Sequence, residues 1–175
     1  MKKAVFLTCA LALLLSGCAA AQPAWETVDD TVVLDAGSYL DSAYTMLFDV
    51  PADAREDALA AAAGRTVYTN AAGDYEIVGQ TLLCADADTA VRRLSGFSPE
   101  DLDVIETTRF GLPEYRFAWY TSGDEGGSLC RADVLLDGTY CYALTFTARE
   151  SCGNTYDSTA QRVFATLSLF EDEGF

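Results

Sequence analysis

The chain has 175 residues, half of them hydrophobic, with 27 acidic side chains, 11 basic ones and no histidine. A formal net charge of −16 repels phosphate backbones, which excludes nucleic acid as a partner. The lack of histidine removes Ser-His-Asp and Cys-His catalysis, the usual general base near neutral pH and the commonest transition-metal ligand.

The first element is a leader. Lys2 and Lys3 precede an apolar run, Ala4 to Leu15, broken only by Thr8 and Cys9. Ser16, Gly17 and Cys18 follow. A charged start, an apolar middle and small residues at a cleavage site make a secretory signal. The run is shorter than the ~20 residues that span a bilayer. Leu15-Ser16-Gly17-Cys18 resembles the lipobox of bacterial lipoproteins. The resemblance implies that residues 1–17 are a signal peptide, removed before Cys18, and that the Cys18 thiol carries diacylglycerol. It places the protein at the cell membrane, lipid-anchored, facing the extracytoplasmic side. Each buried methylene contributes about 0.8 kcal/mol and a single chain binds only marginally, so two or three chains on one residue are needed for lasting attachment. Both lysines lie in the leader, which leaves nine arginines against 27 acids in the rest. Such a surface gains nothing from anionic head groups, so the lipid alone is expected to make the membrane contact.

Residues 18–24 read as a lipidated tether with a reach of roughly 20 Å. Packing is expected to begin at Trp25. No long linker or repeat follows, so 25–175 reads as a single globular domain, large enough for a core. Thr31 to Leu34 is a short β-type run, with a turn at Asp35-Ala36-Gly37. Tyr44 to Val50 alternates, with Tyr44, Met46, Phe48 and Val50 on one face and Pro51 as the stop. Asp53 to Ala63 has helical composition, an acidic first turn and Gly64 after it. Thr66 to Asn70 and Asp74 to Cys84 form a hairpin around Ala71-Ala72-Gly73. Asp86 or Asp88 caps a helix that runs to Ser95 and stops at Gly96, with Arg92 and Arg93 in its last turn. Ser98-Pro99-Glu100-Asp101 starts a second, short helix.

The second half is strand-rich. Val104 to Arg109 is β-branched. Glu114 to Thr121 is a strand with Tyr115, Phe117 and Trp119 on one face, and Ser122 to Gly127 is a Gly-rich acidic loop. Leu129 to Leu136 and Thr139 to Ala148 make the clearest hairpin, around Asp137-Gly138. Glu150 to Asn154 is loop. Tyr156 to about Leu167 is an amphipathic helix with Tyr156, Val163, Phe164 and Leu167 inward, and the tail from Glu171 is acidic. Strands after Val104 follow one another without crossover helices. The class is therefore α+β, an antiparallel sheet of about six strands flanked by helices. The hairpin is expected at the centre of the sheet, with the last helix on one face.

Two features resemble the PsbP-like family. One is the early strand ending in Phe48-Asp49-Val50-Pro51. The other is the hairpin Val134 to Phe146 followed by a C-terminal helix. The resemblance implies an antiparallel sheet between helical layers and a non-catalytic assembly or accessory role. The tryptophan often found soon after the early proline in that family has no counterpart here.

No cofactor or metal motif is found. Asp86-Ala87-Asp88, Asp101 with Asp103, and Asp124-Glu125 offer oxygen ligands, but none has the full spacing of a calcium loop. Asp124 and Glu125 also lie in a loop where a carboxylate pair could run glycoside hydrolysis without histidine, although among 27 acids some pairing is inevitable. Ser151-Cys152-Gly153 lacks the positive neighbours that make a thiolate. The body is therefore expected to be a non-enzymatic binding or accessory domain with an envelope protein as partner. The alternatives are a small-ligand or calcium-binding lipoprotein and, third, the carboxylate hydrolase.

Cys9 leaves with the leader and Cys18 takes lipid, so Cys84, Cys130, Cys141 and Cys152 remain. An even count outside the cytoplasm suggests disulfides. With Asp137-Gly138 as the whole loop, Leu136 faces Thr139 and Cys130 faces Thr145. Cys130 and Cys141 then lie about 13 Å apart, beyond the ~7 Å limit for a bridge. Cys130–Cys152 is the expected pair, leaving Cys84 with Cys141. The alternative is four buried free thiols.

Overall fold

Two long strands, β8 (Gly126–Leu136) and β9 (Tyr140–Arg149), carry the core of this molecule. In the computed structural model the described residues are 25–29, 42, 44–123 and 126–171. The signal peptide, lipobox and tether, the run at Thr31 to Leu34 with its turn, Asp124, Glu125 and the tail after Glu171 lie outside them.

The chain first lays down β1 (Trp25–Asp29), β2 (Tyr44–Pro51) and β3 (Ala54–Glu56). Next come β4 (Arg65–Asn70), β5 (Tyr75–Leu83) and helix α1 (Ala87–Ser95). A single 3-10 turn at Pro99–Asp101 leads into β6 (Ile105–Arg109) and β7 (Leu112–Gly123). After β8 and β9 come helix α2 (Asp157–Thr166) and β10 (Ser168–Glu171). Seven strands form one sheet in the order β3-β4-β5-β9-β8-β7-β6, and β1-β2-β10 form a second. Every pairing is antiparallel. The fold is α+β, and the β8–β9 hairpin sits at the centre of the large sheet, as expected.

The two faces of that sheet bury separate clusters. On one face Ile77, Leu135, Tyr142, Leu144 and Phe146 pack with Met46 and Phe48 of β2 and with Ala160, Val163 and Leu167 of the α2 segment. On the other, Phe117, Trp119, Cys130, Val134, Cys141 and Cys84 pack under Ala90 and Val91 of α1. Burial on both sides explains the near-continuous apolar run of β9. The alternation in β2 and in Tyr115-Phe117-Trp119 reads out correctly: Met46, Phe48, Val50, Phe117 and Trp119 are buried. Helix α1 follows its expected caps. The Asp86 carboxylate accepts from the Thr89 amide, and Gly96 closes the helix at φ 78°.

Gly79 shows how closely the sheets approach. A Cβ there would stand 2.6 Å from Phe48 Cε1 and 3.0 Å from Met46 Cε. Only glycine lets β2 cross β5 at that height.

Three local expectations are corrected. Asp53 to Ala63 is not a helix. Ala54 pairs with Asn70 as part of β3, and the Asp57 carboxylate then accepts from the Leu59 and Ala60 amides in a turn. The segment has one large apolar side chain, Leu59, which is 98% exposed. A short helix with no apolar stripe to bury lacks the packing that sustains it. The loop expected over Ser122 to Gly127 is mostly strand, because β7 and β8 stay paired out to Gly123 and Gly126. Finally, the hairpin register differs by two residues. Leu136 pairs with Cys141 and Cys130 with Thr147. The Asp137 carboxylate accepts from the amides of Thr139 and Tyr140, which puts Gly138 and Thr139 at the tip of the turn.

No disulfide joins the four body cysteines, which are all free thiols. Cys130 packs on the α1 face. Cys152 ends the 3-10 turn Glu150–Cys152, four residues before Tyr156, which packs on the α2 face. Cys84 and Cys141 are diagonal neighbours, since Cys141 pairs with Leu82. Diagonal Cα atoms stand roughly 7–8 Å apart, at or past the reach of a bridge. Burial pushes the Cys141 thiol up to about 12, with Cys84 nearby adding to the effect.

Candidate functional site

The charged residues that matter lie where the large sheet runs past α2. Alternation along β7 turns Glu114, Arg116 and Ala118 to the α2 side while Phe117 and Trp119 go under α1. Register does the rest. Arg116 stands opposite Asp133, and Ala118 opposite Arg131. A cleft of about 450 Å³ opens there. Its sheet side is Ile105, Arg116, Ala118, Arg131 and Asp133, and its helix side is Gln161, Phe164 and Ala165.

Arg109, Glu114, Arg116 and Asp133 form one network, and all but Glu114 line this cleft. Glu114 Oε1 lies 2.7 Å from Arg109 Nε and 2.9 Å from Arg116 Nη2. The Thr107 hydroxyl donates to Glu114 Oε2. Asp133 Oδ2 lies 3.3 Å from Arg109 Nη2 and 3.5 Å from Arg116 Nε. Arg109 also donates through Nη1 to the carbonyl oxygens of Phe164, at 3.0 Å, and Leu167, at 3.3 Å. It thereby ties β6 to the C-terminal end of α2, where the helix dipole favours a cation. Arg131 pairs with Asp157 at the start of α2.

The two buried carboxyls behave differently. Burial alone would raise Glu114, but the Thr107 hydroxyl, Arg116 and Arg109 outweigh it and hold the group below the usual range. Burial pushes Asp133 up to about 7, and the Glu114 charge adds to this against the pull of the arginines. As two carboxylates they only repel, and neither Asp133 oxygen then has a hydrogen-bond partner. A proton on Asp133 converts the repulsion into a hydrogen bond to Glu114.

Of the positions singled out for calcium or hydrolysis that are among the described residues, Asp103 lines the cleft. Asp86 is the cap of α1, and Asp101 belongs to the 3-10 turn. Among the described residues no three His, Cys, Asp or Glu side chains are grouped to hold a metal ion. Sequence reasoning missed Glu114 and Asp133. The available signal was a lone acid, Asp133, inside the otherwise apolar run Ala132 to Leu136.

No family model matches the sequence, and no curated protein matches it. Solved structures do show the fold. Cyanobacterial PsbP (CyanoP) of Synechocystis sp. PCC 6803 is 15% identical, with a TM-score of 0.56, over 89% of this chain and 99% of that one. LpqN of Mycobacterium tuberculosis, described as involved in cell envelope biogenesis, is 15% identical, with a TM-score of 0.51, over 83% of this chain and 91% of that one. A Bacteroides thetaiotaomicron protein is 11% identical, with a TM-score of 0.52, over 74% of this chain. The match spans 46% of that longer chain. At these identities the likeness is one of fold, and it meets the expected resemblance to the PsbP-like family at that level.

Proposed function

We propose that this protein is a lipid-anchored, extracytoplasmic accessory domain that binds through the cleft beside α2 and carries out no reaction there. The observation that carries the non-enzymatic reading is the state of its two buried carboxyls. Hydrolysis by an acid pair keeps the groups about 5–9.5 Å apart, with the substrate between them. Glu114 and Asp133 instead share the same two guanidinium groups, those of Arg109 and Arg116. They build a rigid wall and leave no room for a reacting bond between them. The location rests on the leader and lipobox. Among the described residues no helix is long and apolar enough to cross a membrane. Cell envelope biogenesis, named for LpqN, is work done where a lipid-anchored domain of this kind would stand.

Changing the anchor tests this reading. Cys18→Ala is expected to move the protein from the membrane fraction to the soluble extracytoplasmic fraction, or to leave the leader attached. Normal cleavage with unchanged membrane partition would remove the lipoprotein assignment.

A further inference from the structure

We propose that the cleft beside α2 takes a monocarboxylate with an apolar body, its head group lying over Ala118 between Arg116 and Arg131. The inference rests on the cleft being the binding surface of the domain.

The sign of the ligand follows from which charges the cleft shows. Arg116 is 48% exposed, Arg131 28% and Arg109 18%, whereas Glu114 and Asp133 are 2% and 1%. An entering molecule therefore meets Arg116 and Arg131 at the centre, with Glu114 and Asp133 behind them and the exposed Asp103 and partly exposed Asp157 at the margin. Arg116 and Arg131 lie on adjacent strands and face one side of the sheet, because their partners across the register are Asp133 and Ala118. Ala118 is the short side chain of that block, and it leaves open the space between the two arginines. Planar guanidinium groups suit a carboxylate.

The body of the ligand follows from the walls. Phe164 and Ala165 of α2 and Ile105 of β6 line the remaining space. Ile105 is 60% exposed, an apolar side chain left bare at the mouth. About 450 Å³ is ample for a medium-chain acid.

Asp133 sets the charge of the cleft wall. Its carboxyl is buried, lines the cleft and lies 3.3 Å from Arg109 Nη2 and 3.5 Å from Arg116 Nε. The charged groups facing it are Arg109 from β6, Glu114 and Arg116 from β7, and Arg131 one pair further along β8. Asp103 lies at the rim and Asp157 holds Arg131, while α2 offers only the neutral Gln161, Phe164 and Ala165 to the cleft. With Asp133 ionised, the two guanidinium charges of Arg109 and Arg116 are matched by the carboxylates of Glu114 and Asp133. With a proton on Asp133, one positive charge is left over within the network, which fits a monoanion. Anion binding should therefore be linked to a proton on Asp133.

Calorimetric titration with octanoate tests this, with octylammonium as the opposite charge. Octanoate stays ionised between pH 6 and pH 8. Saturable octanoate binding at pH 6 is expected to weaken about tenfold at pH 8, because above about 7 the free cleft must take up a proton for each anion it admits. Ala118→Leu, at an exposed position, is expected to abolish binding without changing the melting temperature. Asp133→Asn, checked for native near-ultraviolet dichroism, is expected to bind with equal affinity at both pH values. Octylammonium binding in place of octanoate would overturn the inference. So would an Ala118→Leu protein that binds as the parent does, or a parent affinity that is the same at pH 6 and pH 8. Membrane attachment through Cys18 would survive each of these failures, so the two proposals fall separately.

Discussion

Glu114→Ala is expected to cost about 3–5 kcal/mol of folding stability. The residue is 2% exposed and accepts from Thr107, Arg109 and Arg116 at once. Removing it leaves the Arg109 guanidinium facing a void, with only Asp133 and the α2 carbonyls to hold it. An uncompensated buried charge is more costly than the pair was worth. The loss should be smallest when Asp133 is ionised and can take over as the counter-charge. In the parent, burial and the Glu114 charge hold Asp133 protonated until the pH rises through about 7, and in the variant its charge appears at lower pH. The parent loses stability from Asp133 over the same interval, since the folded protein keeps a proton that the unfolded chain has already released. Denaturant unfolding of parent and variant at pH 5 and pH 8 checks both signs. A Glu114→Ala loss under 1 kcal/mol at both values would show that the network is not a supporting element.

Phe48→Ala is expected to cost a similar amount, about 3–5 kcal/mol. The ring is 1% exposed, meets Tyr68 edge-on at 6.1 Å and lies directly over Gly79. The informative partner is Gly79→Ala. Alone it drives a methyl group into the ring, an overpacking that costs about 1–3 kcal/mol. In the Phe48→Ala background the same methyl fills part of the cavity, so the second substitution should be neutral or stabilising. Two losses that simply add would mean that β2 does not cross β5 at Gly79.

These two regions differ in how far the sequence revealed them. Phe48 belongs to an alternating strand, and period-two patterning finds such residues without help. The α1 caps and the amphipathic last helix were equally legible, because Asp86, Gly96, Val163 and Leu167 each express a local rule. The Asp53 to Ala63 segment failed for the opposite reason. Its alanines favour helix intrinsically, but β4 offers Ala54 and its neighbours a ladder, and helix propensity carries no information about that edge. The β6–β7 turn was also hidden. Phe110 occupies the left-handed region at φ 54°, followed by Gly111 at 79°, where Asn-Gly would have announced the turn. At Asp137-Gly138 the turn was visible but its register was not. An aspartate carboxylate that caps two amides shifts the loop by one residue, and each residue of shift displaces the pairing by two.

The candidate cleft was the least legible part. Arg109, Glu114, Arg116, Asp133 and Phe164 lie on four elements, and only the β6–β7–β8 register and the placement of α2 bring them together. Nothing in their spacing distinguishes them from solvated charges on half-buried strands. The loop acids Asp124 and Glu125 drew attention as an adjacent pair, whereas the buried pair that shares Arg109 and Arg116 is nineteen residues apart in sequence.

The intact mass of the protein extracted from its native membrane tests the central claim most directly. The account predicts a chain that begins at Cys18 and carries the added mass of a diacylglycerol group, with or without a further acyl chain. A chain that begins at Met1, or one cleaved at another site and free of lipid, would contradict it.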